Sequence, residues 1–325
     1  MKRFVPYLLT FVLLLGPVPA VPAASTKKKT PVESEMPTVD KTPAKSKATS
    51  TDDTPAKSKS TKKKTTSTVP KKAVPEAPAV DENGVPRVSA GSAIVVDAAS
   101  GNVLYAGNAD QRRPVASTQK LLTALLVAEA GDLDRMIDVE ASDTWAEPTK
   151  LYIKPGDQYS RRDFLRILLV KSMNDVARAL ARDNAGSVEA FADKMNARAV
   201  QMGMRESNFV NPNGLPAPGQ YSTARDMARL ALFAYRNRTL REIMCQKSIA
   251  WRYNNGRVTT FSNTNAVLKN FGPCNGMKTG TTNAAGRCLI SSASYNGRDV
   301  IVVVLGDNSR VWMDSQRLLA WGLTL

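Results

Sequence analysis

The folded part of the chain begins and ends with apolar runs that predict β-strands. Two such runs lie near its start and two near its end, and a turn separates the members of each pair. Asn296-Gly297, between the last two runs, is a strong signal for a tight hairpin turn. The predicted strands cover residues 92–97, 103–106, 288–293 and 300–305.

Between these strands, apolar residues recur at the three- and four-residue spacing of amphipathic helices. Ser160 with Asp163, and Thr223 with Asp226, form capping boxes that open two of the helices. The predicted helices cover residues 121–130, 164–170, 176–181, 188–202, 223–235 and 311–321.

The order of these elements predicts the fold class. Strands at both ends of a domain commonly pair in one antiparallel sheet, with helices packed on its faces. We therefore expect an α/β fold of the α+β type, in which the middle helices form a lobe beside the sheet. The groove between the sheet edge and this helical lobe is where we expect the chemistry.

The N-terminal part of the chain has a different composition and predicts two segments. Residues 1–24 resemble a secretory signal peptide, with a positive start, an apolar run too short to cross a bilayer and small residues at the end. An uncleaved membrane anchor is the alternative. Residues 25–85 are rich in Lys, Thr, Ser and Pro, so we expect a disordered linker. Its lysine excess is consistent with a solvated tether or with an electrostatic contact to an anionic envelope surface.

Charge and composition exclude several kinds of protein. The formal net charge is +16, yet the Lys and Arg residues of the folded part are scattered and no nucleic-acid-binding motif is present. We therefore expect no nucleic-acid partner. The chain contains no histidine, which excludes Ser-His-Asp and Cys-His catalysis and histidine-based zinc sites. We expect neither a metal nor a cofactor, and a nucleophilic enzyme of this composition needs another base, for which lysine is the obvious replacement.

Three cysteines, Cys245, Cys274 and Cys288, bear on the redox state of an exported protein. In an oxidising compartment, one disulfide and one buried thiol is the simplest arrangement. The sequence does not select the pair, and we take Cys245 with Cys274 as the working assignment.

A Ser-x-x-Lys motif, Ser117 to Lys120, lies at the start of the predicted 121–130 helix. The three-residue spacing places both side chains on one helical face, and a helix N-terminus favours developing negative charge. Lysine can deprotonate the hydroxyl only if burial or nearby cations lower its pKa. Two further copies lie in the linker. Alone, the motif therefore favours a capping serine beside a surface lysine.

Two further triplets carry side chains that suit peptide chemistry. Ser172-x-Asn174 lies between two predicted helices, where the serine can relay a proton and the asparagine amide can position a substrate. Helix capping is the alternative. Lys278-Thr279-Gly280 combines a cation, a hydroxyl and room for a ligand backbone at a strand edge. A strand-entry turn with a solvated lysine is the alternative.

The three motifs occur in one order, and their first residues are separated by 55 and 106 positions. In this order they resemble the low-molecular-mass penicillin-binding proteins, the D-Ala-D-Ala carboxypeptidase family related to β-lactamases. The resemblance extends from about Ala90 to Gly322 and implies an antiparallel five-stranded sheet. Further similar segments cover residues 114–117, 213–215, 219–226, 276–280 and 319–322.

The resemblance implies a catalytic set. Ser117 would attack the penultimate D-Ala carbonyl carbon and become the acyl-enzyme, with Lys120 as its general base. Ser172 would pass a proton to the departing D-alanine. The backbone N–H groups of Ser117 and Thr281 would form the oxyanion hole.

The resemblance also implies a binding set. Lys278 and Thr279 would hold the substrate carboxylate, Arg310 would be a second carboxylate ligand, and Asn174 would position the substrate. Met173 stands where many carboxypeptidases have glycine, so we expect a cleft of different shape at this point.

The implied function is that of an exported, monomeric serine-type D-alanyl-D-alanine carboxypeptidase. It would trim peptidoglycan stem peptides in the periplasm or cell-wall space and be acylated by β-lactams. A D,D-endopeptidase that cleaves cross-links uses the same chemistry and is the main alternative.

Two other functions are less consistent with the motifs. A β-lactamase needs a deacylating glutamate, typically in a Glu-x-x-Leu-Asn segment, and none lies between the second and third motifs. A catalytically silent wall-binding module would not need three complete motifs. Many family members continue past the position of Gly322 into a small β-domain and an amphipathic membrane helix. This chain stops three residues later, so we expect envelope attachment through its N-terminal part or through non-covalent contact.

Overall fold

The computed structural model describes Val80, Gly84 and residues 86–307 and 309–325. The predicted signal peptide lies outside these residues, as does the predicted linker apart from Val80 and Gly84. Among the described residues, no helix is both long enough and apolar enough to cross a membrane.

The order of the described elements agrees with the predicted order of hairpin, helices, hairpin and helix. The strands are β1 Ser92–Asp97, β2 Val103–Gly107, β3 Met136–Asp138, β4 Gln158–Ser160, β5 Ser248–Arg252, β6 Val258–Ser262, β7 Cys274–Thr282, β8 Gly286–Tyr295 and β9 Arg298–Asp307. The α-helices are α1 Lys120–Glu129, α2 Arg161–Lys171, α3 Asn174–Ala185, α4 Val188–Gln201, α5 Ala224–Arg236, α6 Arg238–Met244, α7 Ala266–Asn270 and α8 Val311–Thr324. Two 3₁₀ turns cover Ala116–Gln119 and Ala141–Thr144.

Five strands form one antiparallel sheet in the order β2-β1-β9-β8-β7, which confirms the predicted fold class. The first strand pairs with the last, because β1 runs beside β9. The turn between β8 and β9 contains Asn296 and Gly297, with φ angles of 49° and 80°, as a tight hairpin turn requires. Strand β7, which carries the Lys278 triplet, is at the sheet edge, and among the described residues no strand pairs with its outer side.

Helices cover both faces of the sheet, so the central strands are buried on both sides. The side chains of β9 alternate between two cores, as the two-residue period of a strand requires. The larger core receives Ile301, Val303 and Leu305, and the smaller core receives Val300, Val302 and Val304.

The helical lobe begins at capped helix starts. The Ser160 and Thr223 hydroxyl oxygens accept the backbone N–H groups of Asp163 and Asp226, each at 3.1 Å, which confirms both predicted caps. Helix α1 is central, and eight of its ten residues are buried. Such complete burial places its first residue, Lys120, inside the protein.

Six short described elements were not predicted from the pattern. They are the β3/β4 and β5/β6 hairpins and the short helices α6 and α7. Strands of three to five residues and helices of five to seven residues contain too few positions for a clear period.

The working assignment of a Cys245–Cys274 disulfide is wrong, because all three cysteines are free thiols. Cys245 is exposed just after α6, where its thiol donates to the carbonyl of Glu242. Cys274 is buried at the start of β7, and its thiol donates to the carbonyl of Gly276. Each sulfur therefore bonds to the backbone of its own segment.

Candidate active site

Ser117 and Lys120 lie at the junction of the Ala116–Gln119 turn and helix α1. The single turn between them brings the Lys120 Nζ atom to 2.7 Å from the Ser117 Oγ atom. The structure therefore brings the predicted nucleophile and the predicted base into direct contact.

Lys120 is fully buried and contacts three oxygen atoms. Besides Ser117 Oγ, its Nζ atom donates to Asn174 Oδ1 and to the Asn213 carbonyl oxygen, both at 2.6 Å. The pKa of Lys120 lies well below its usual value, first because burial penalises the charged amine and second because Lys278 adds a positive charge nearby. The Lys120 Nζ atom donates to all three oxygens, and the hydroxyl of Ser117 in turn donates to the Asn213 carbonyl oxygen at 3.3 Å.

Ser172 is brought to the same place by the break between α2 and α3. It ends α2 with a left-handed φ of 72°, a conformation that costs a residue other than glycine about 1–3 kcal/mol. Ser172 and Ser117 both line a cavity of about 230 Å³. The predicted relay serine and nucleophile therefore share one cavity.

Asn174 connects the base to the loop on the other side of the cleft. Its carbonyl oxygen faces Lys120, while its amide nitrogen donates to the Pro148 carbonyl oxygen. Its backbone N–H donates to the carbonyl of Thr149 at 2.9 Å. Asn174 thus orients Lys120 as well as lining the cleft.

Asp175 is a member of the site that the sequence analysis missed. Its buried carboxylate accepts the backbone N–H groups of Leu151, Tyr152, Ile153 and Val176 at 2.8–3.4 Å. Burial raises the pKa of this carboxyl group, against the opposing effect of the four N–H donors. Its negative charge also acts on Lys120, whose pKa it raises. A charged residue within an apolar helical run was the available signal.

The Lys278 triplet forms the opposite wall on the edge strand β7. Lys278 is fully buried and donates from Nζ to the carbonyl of Thr279 at 2.8 Å. Burial lowers the pKa of Lys278 to about 7. The hydroxyl of Thr279 lies 2.6 Å from that of Thr264, a second cleft residue that carried no recognised motif.

Two glycines, Gly280 on β7 and Gly214 in the segment of residues 213–215, allow these segments to pack closely against the Ser117 turn. A Cβ atom at Gly280 would lie 2.8 Å from the backbone nitrogens of both Ser117 and Thr118. A Cβ atom at Gly214, where φ is +81°, would lie 2.1 Å from the Ala116 carbonyl oxygen. These close approaches require glycine at both positions.

Two cavities adjoin Ser117 and together form the cleft. Thr281 lines both of them, as the predicted oxyanion-hole partner of Ser117 should. The second cavity, of about 460 Å³, extends past Pro148 and Leu215. Among the described residues no cluster of three or more acidic or cysteine side chains could hold a metal ion.

Arg310 does not line either cavity. It is exposed at the residue before α8, and its backbone N–H donates to the Asp307 carboxylate at 2.8 Å. Trp312, one residue into the helix beyond Val311, lines the smaller cavity instead. Trp312 was not predictable as a cleft residue, because a single aromatic residue at a helix start carries no specific pattern.

Comparison with known proteins agrees with this geometry. Residues 79–309 match the model of the D-alanyl-D-alanine carboxypeptidase family. The D-alanyl-D-alanine carboxypeptidase DacC of Escherichia coli (strain K12) is 37% identical over 258 residues, which are 73% of this chain and 62% of that protein. A D-alanyl-D-alanine endopeptidase of the same strain is 33% identical over 256 residues, which are 77% of this chain and 82% of that protein.

Solved structures show the same fold. The crystal structure of a D-alanyl-D-alanine carboxypeptidase from Mycobacterium tuberculosis H37Rv is 31% identical and superposes with a TM-score of 0.71, covering 74% of this chain and 93% of that chain. The chain belongs to the D-alanyl-D-alanine carboxypeptidase family. It spans about 62% of the length of the DacC carboxypeptidase that it matches.

Proposed function

We propose that the chain is a serine-type D-alanyl-D-alanine carboxypeptidase that removes the terminal D-Ala from peptidoglycan stem peptides. The observation that carries the proposal is the 2.7 Å contact between Ser117 Oγ and Nζ of the buried Lys120, whose amine is also held by two carbonyl oxygens. The chain has no histidine, and among the described residues Lys120 is the basic side chain that contacts this serine.

In the acylation step, Lys120 takes the proton of Ser117 as Oγ attacks the carbonyl carbon of the penultimate D-Ala. The backbone N–H groups of Ser117 and Thr281 hold the negative oxygen of the tetrahedral intermediate, each donor contributing about 3–4 kcal/mol. Ser172 relays the proton from Lys120 to the amine of the terminal D-Ala, so that the C–N bond breaks, D-Ala leaves and Lys120 is neutral again. Water attacks the resulting ester in the deacylation step, and Ser117 is released.

In this proposal the substrate is recognised through its terminal carboxylate and through backbone pairing with the edge strand β7. The terminal carboxylate of the stem peptide is held by Thr279, which lines the same cavity as Ser117, and by the charge of the adjacent buried Lys278. The free edge of β7 takes the extended peptide by strand addition. Arg310 remains a proposed second carboxylate ligand, and reaching the cleft from its exposed position requires its long side chain to turn inward.

Release of D-Ala from a soluble pentapeptide tests the proposal. We expect release by the wild-type chain and none by Ser117→Ala, with Ser309→Ala as a matched control at an exposed serine. An active Ser117→Ala variant would contradict the role of Ser117. A wild-type chain that takes up fluorescent penicillin but leaves the pentapeptide intact would contradict the carboxypeptidase assignment.

A D,D-endopeptidase is the second candidate, because one relative at 33% identity carries that name. An internal cross-link needs space for chain beyond the scissile bond, and Ser117 borders two cavities, of about 230 and 460 Å³. Purified cross-linked dimers separate the two candidates. Cleavage of dimers without release of D-Ala from monomeric pentapeptide would establish the endopeptidase.

The proposal extends to the setting of the enzyme. It is exported, acts as a monomer in the periplasm or cell-wall space, and is acylated by β-lactams as slowly released covalent inhibitors. The lysine-rich segment of residues 25–85 serves as a tether that contacts the anionic envelope through its positive charge. Binding of the full chain to isolated cell walls that weakens steadily with added salt supports this contact.

A further inference from the structure

Two aromatic side chains stand out on the loop that borders the cleft. Among the aromatic residues that the structure describes, only Trp145 and Tyr152 are exposed, each with 71% of its surface accessible. Both lie on one segment, residues 145–152, which we call the aromatic segment. Between them, the same segment carries Pro148 and Thr149 into the cleft.

The backbone holds Tyr152 outward at an energetic cost. Leu151 and Ile153 are buried on either side of it, and the Asp175 carboxylate accepts the N–H groups of all three residues. Tyr152 itself has a left-handed φ of 60°, which is strained for an aromatic residue. The ring has Lys150 Nζ 5.7 Å from its centre and is otherwise exposed, and such strain at an exposed residue near a cleft is a reason to test it for contact with a ligand.

Trp145 also lines a cavity of its own, of about 290 Å³, formed with the end of α3 and the start of α4. In this cavity the guanidinium of Arg178 donates from Nε to the Ser142 carbonyl, and its two other nitrogens have no partner among the described residues. The carboxylate of Glu189 has no partner among them either. An aromatic face, free donors and a free acceptor therefore border one small space.

This combination suits a sugar ring. The C–H groups of a pyranose pack on an aromatic face while its hydroxyl and amide groups bond to charged side chains. An anion is a poorer ligand, because the ionised groups of the cavity are two arginines and three carboxylates, including Glu140 and Asp143. The volume lies at the lower end of the range for small-molecule sites, which is about 300–1,000 Å³.

Trp145 also lies within reach of the cleft for the substrate of the proposed function, on which this inference rests, because Thr149 lines the same cavities as Ser117. Trp145 lies four residues before Thr149, and four residues span at most about 14 Å. In a stem peptide the acylating D-Ala is likewise the fourth residue from the muramyl sugar, about 14 Å away when extended. We infer that Trp145 and its cavity form a subsite for the glycan strand of peptidoglycan, with Tyr152 as a second contact.

Kinetics on two soluble substrates test the subsite. We expect kcat/KM for a disaccharide-linked pentapeptide to exceed that for the free pentapeptide by about fivefold or more, and Trp145→Ala to reduce this ratio toward one. Tyr152→Ala should reduce it less. Val200→Ala is the matched control, because Val200 is equally exposed but lies on α4, outside the aromatic segment and both cavities of the cleft. Equal kcat/KM on both substrates, or an equal loss on both in Trp145→Ala, would overturn the inference.

Binding without catalysis separates this inference from the proposed function. Peptide-free glycan chains should bind the full-length Ser117→Ala protein, and the added Trp145→Ala substitution should weaken binding about fivefold or more. Glycan binding by a chain that takes up neither penicillin nor pentapeptide would refute the function and keep the subsite. No binding by an active enzyme would refute the subsite and point to another partner for the aromatic segment.

Discussion

Lys120 and Lys278 are fully buried amines, and within the described residues neither forms an ion pair with a carboxylate. Burial lowers the pKa of both side chains. The positive charge of Lys278 further depresses the pKa of Lys120. In the proposed reaction Lys120 acts as a base in its neutral form, while Lys278 attracts the substrate carboxylate in its charged form.

The pH dependence of catalysis follows from these two residues. We expect kcat/KM for a pentapeptide to rise with pH as Lys120 loses its proton and to fall above about pH 7 as Lys278 loses its own. Steady-state kinetics from pH 4 to pH 10 measure this profile. A rate that climbs up to pH 10, as for lysine side chains with ordinary pKa values, would contradict the account.

Lys278 should also lower the stability of the fold. The pKa of Lys278 is about 7 in the folded state and 10.5 for an ordinary lysine. Between these two values the unfolded chain carries the proton and the folded chain does not. Stability therefore rises with pH between about 7 and 10.5. At pH 7 we expect Lys278→Met to raise the free energy of unfolding by about 1–4 kcal/mol while abolishing activity. Chemical denaturation measures it, with exposed Lys194→Met as control; a less stable Lys278→Met variant would be the contrary result.

Motif order identified the side chains that carry the proposed chemistry, because Ser, Lys and Asn at those spacings are distinctive in combination. The other contacts of the site left weaker signals. Asn213 contributes a backbone carbonyl, which any residue type possesses. Asp175 acts through four backbone N–H groups, and Thr264 meets Thr279 from a different segment. Such contacts depend on the tertiary structure and have no fixed spacing in the sequence.

At the scale of elements, the site depends on how closely three segments approach. Edge strand β7 reaches the Ser117 turn at Gly280, and the 213–215 segment reaches it at Gly214. The long helices and the two terminal hairpins were predictable, because each buries a regular apolar face. The short hairpins and helices were not, since their few positions take their conformation from packing against neighbours.

Gly214→Ala tests the close approach. The new Cβ atom would overlap the Ala116 carbonyl and displace the Ser117 turn, so we expect penicillin acylation to slow by about 100-fold. Gly256→Ala is the matched control, because Gly256 has nearly the same φ, +83°, and no atom within 4 Å of the added Cβ. Gly256→Ala should lower the free energy of unfolding by about 1 kcal/mol and leave the acylation rate unchanged. Equal acylation by both variants would show that the approach at Gly214 is not needed.

At the scale of the whole molecule, the fold is held by its two cores without a disulfide among the described residues. Burial raises the pKa of the Cys274 and Cys288 thiols to about 11, which leaves both unreactive near neutral pH. A disulfide was expected because export and three cysteines favour one in general, whereas a sheet of this size buries enough apolar surface alone.

Thiol counting tests this state. We expect one thiol, Cys245, to react with a chromogenic disulfide reagent in the native protein and all three to react after unfolding without a reductant. Cys245→Ser should remove the native reaction. A total of one reactive thiol in the unfolded protein would instead demonstrate a disulfide.

The central claim is that Ser117, activated by Lys120, forms a covalent acyl-enzyme. Intact-protein mass spectrometry after incubation with benzylpenicillin, followed by peptide mapping, tests it most directly. The account predicts one long-lived penicilloyl group on the peptide that contains Ser117, no adduct on Ser117→Ala, and a much slower adduct on Lys120→Ala. An adduct on another residue, or an undiminished rate in Lys120→Ala, would contradict it.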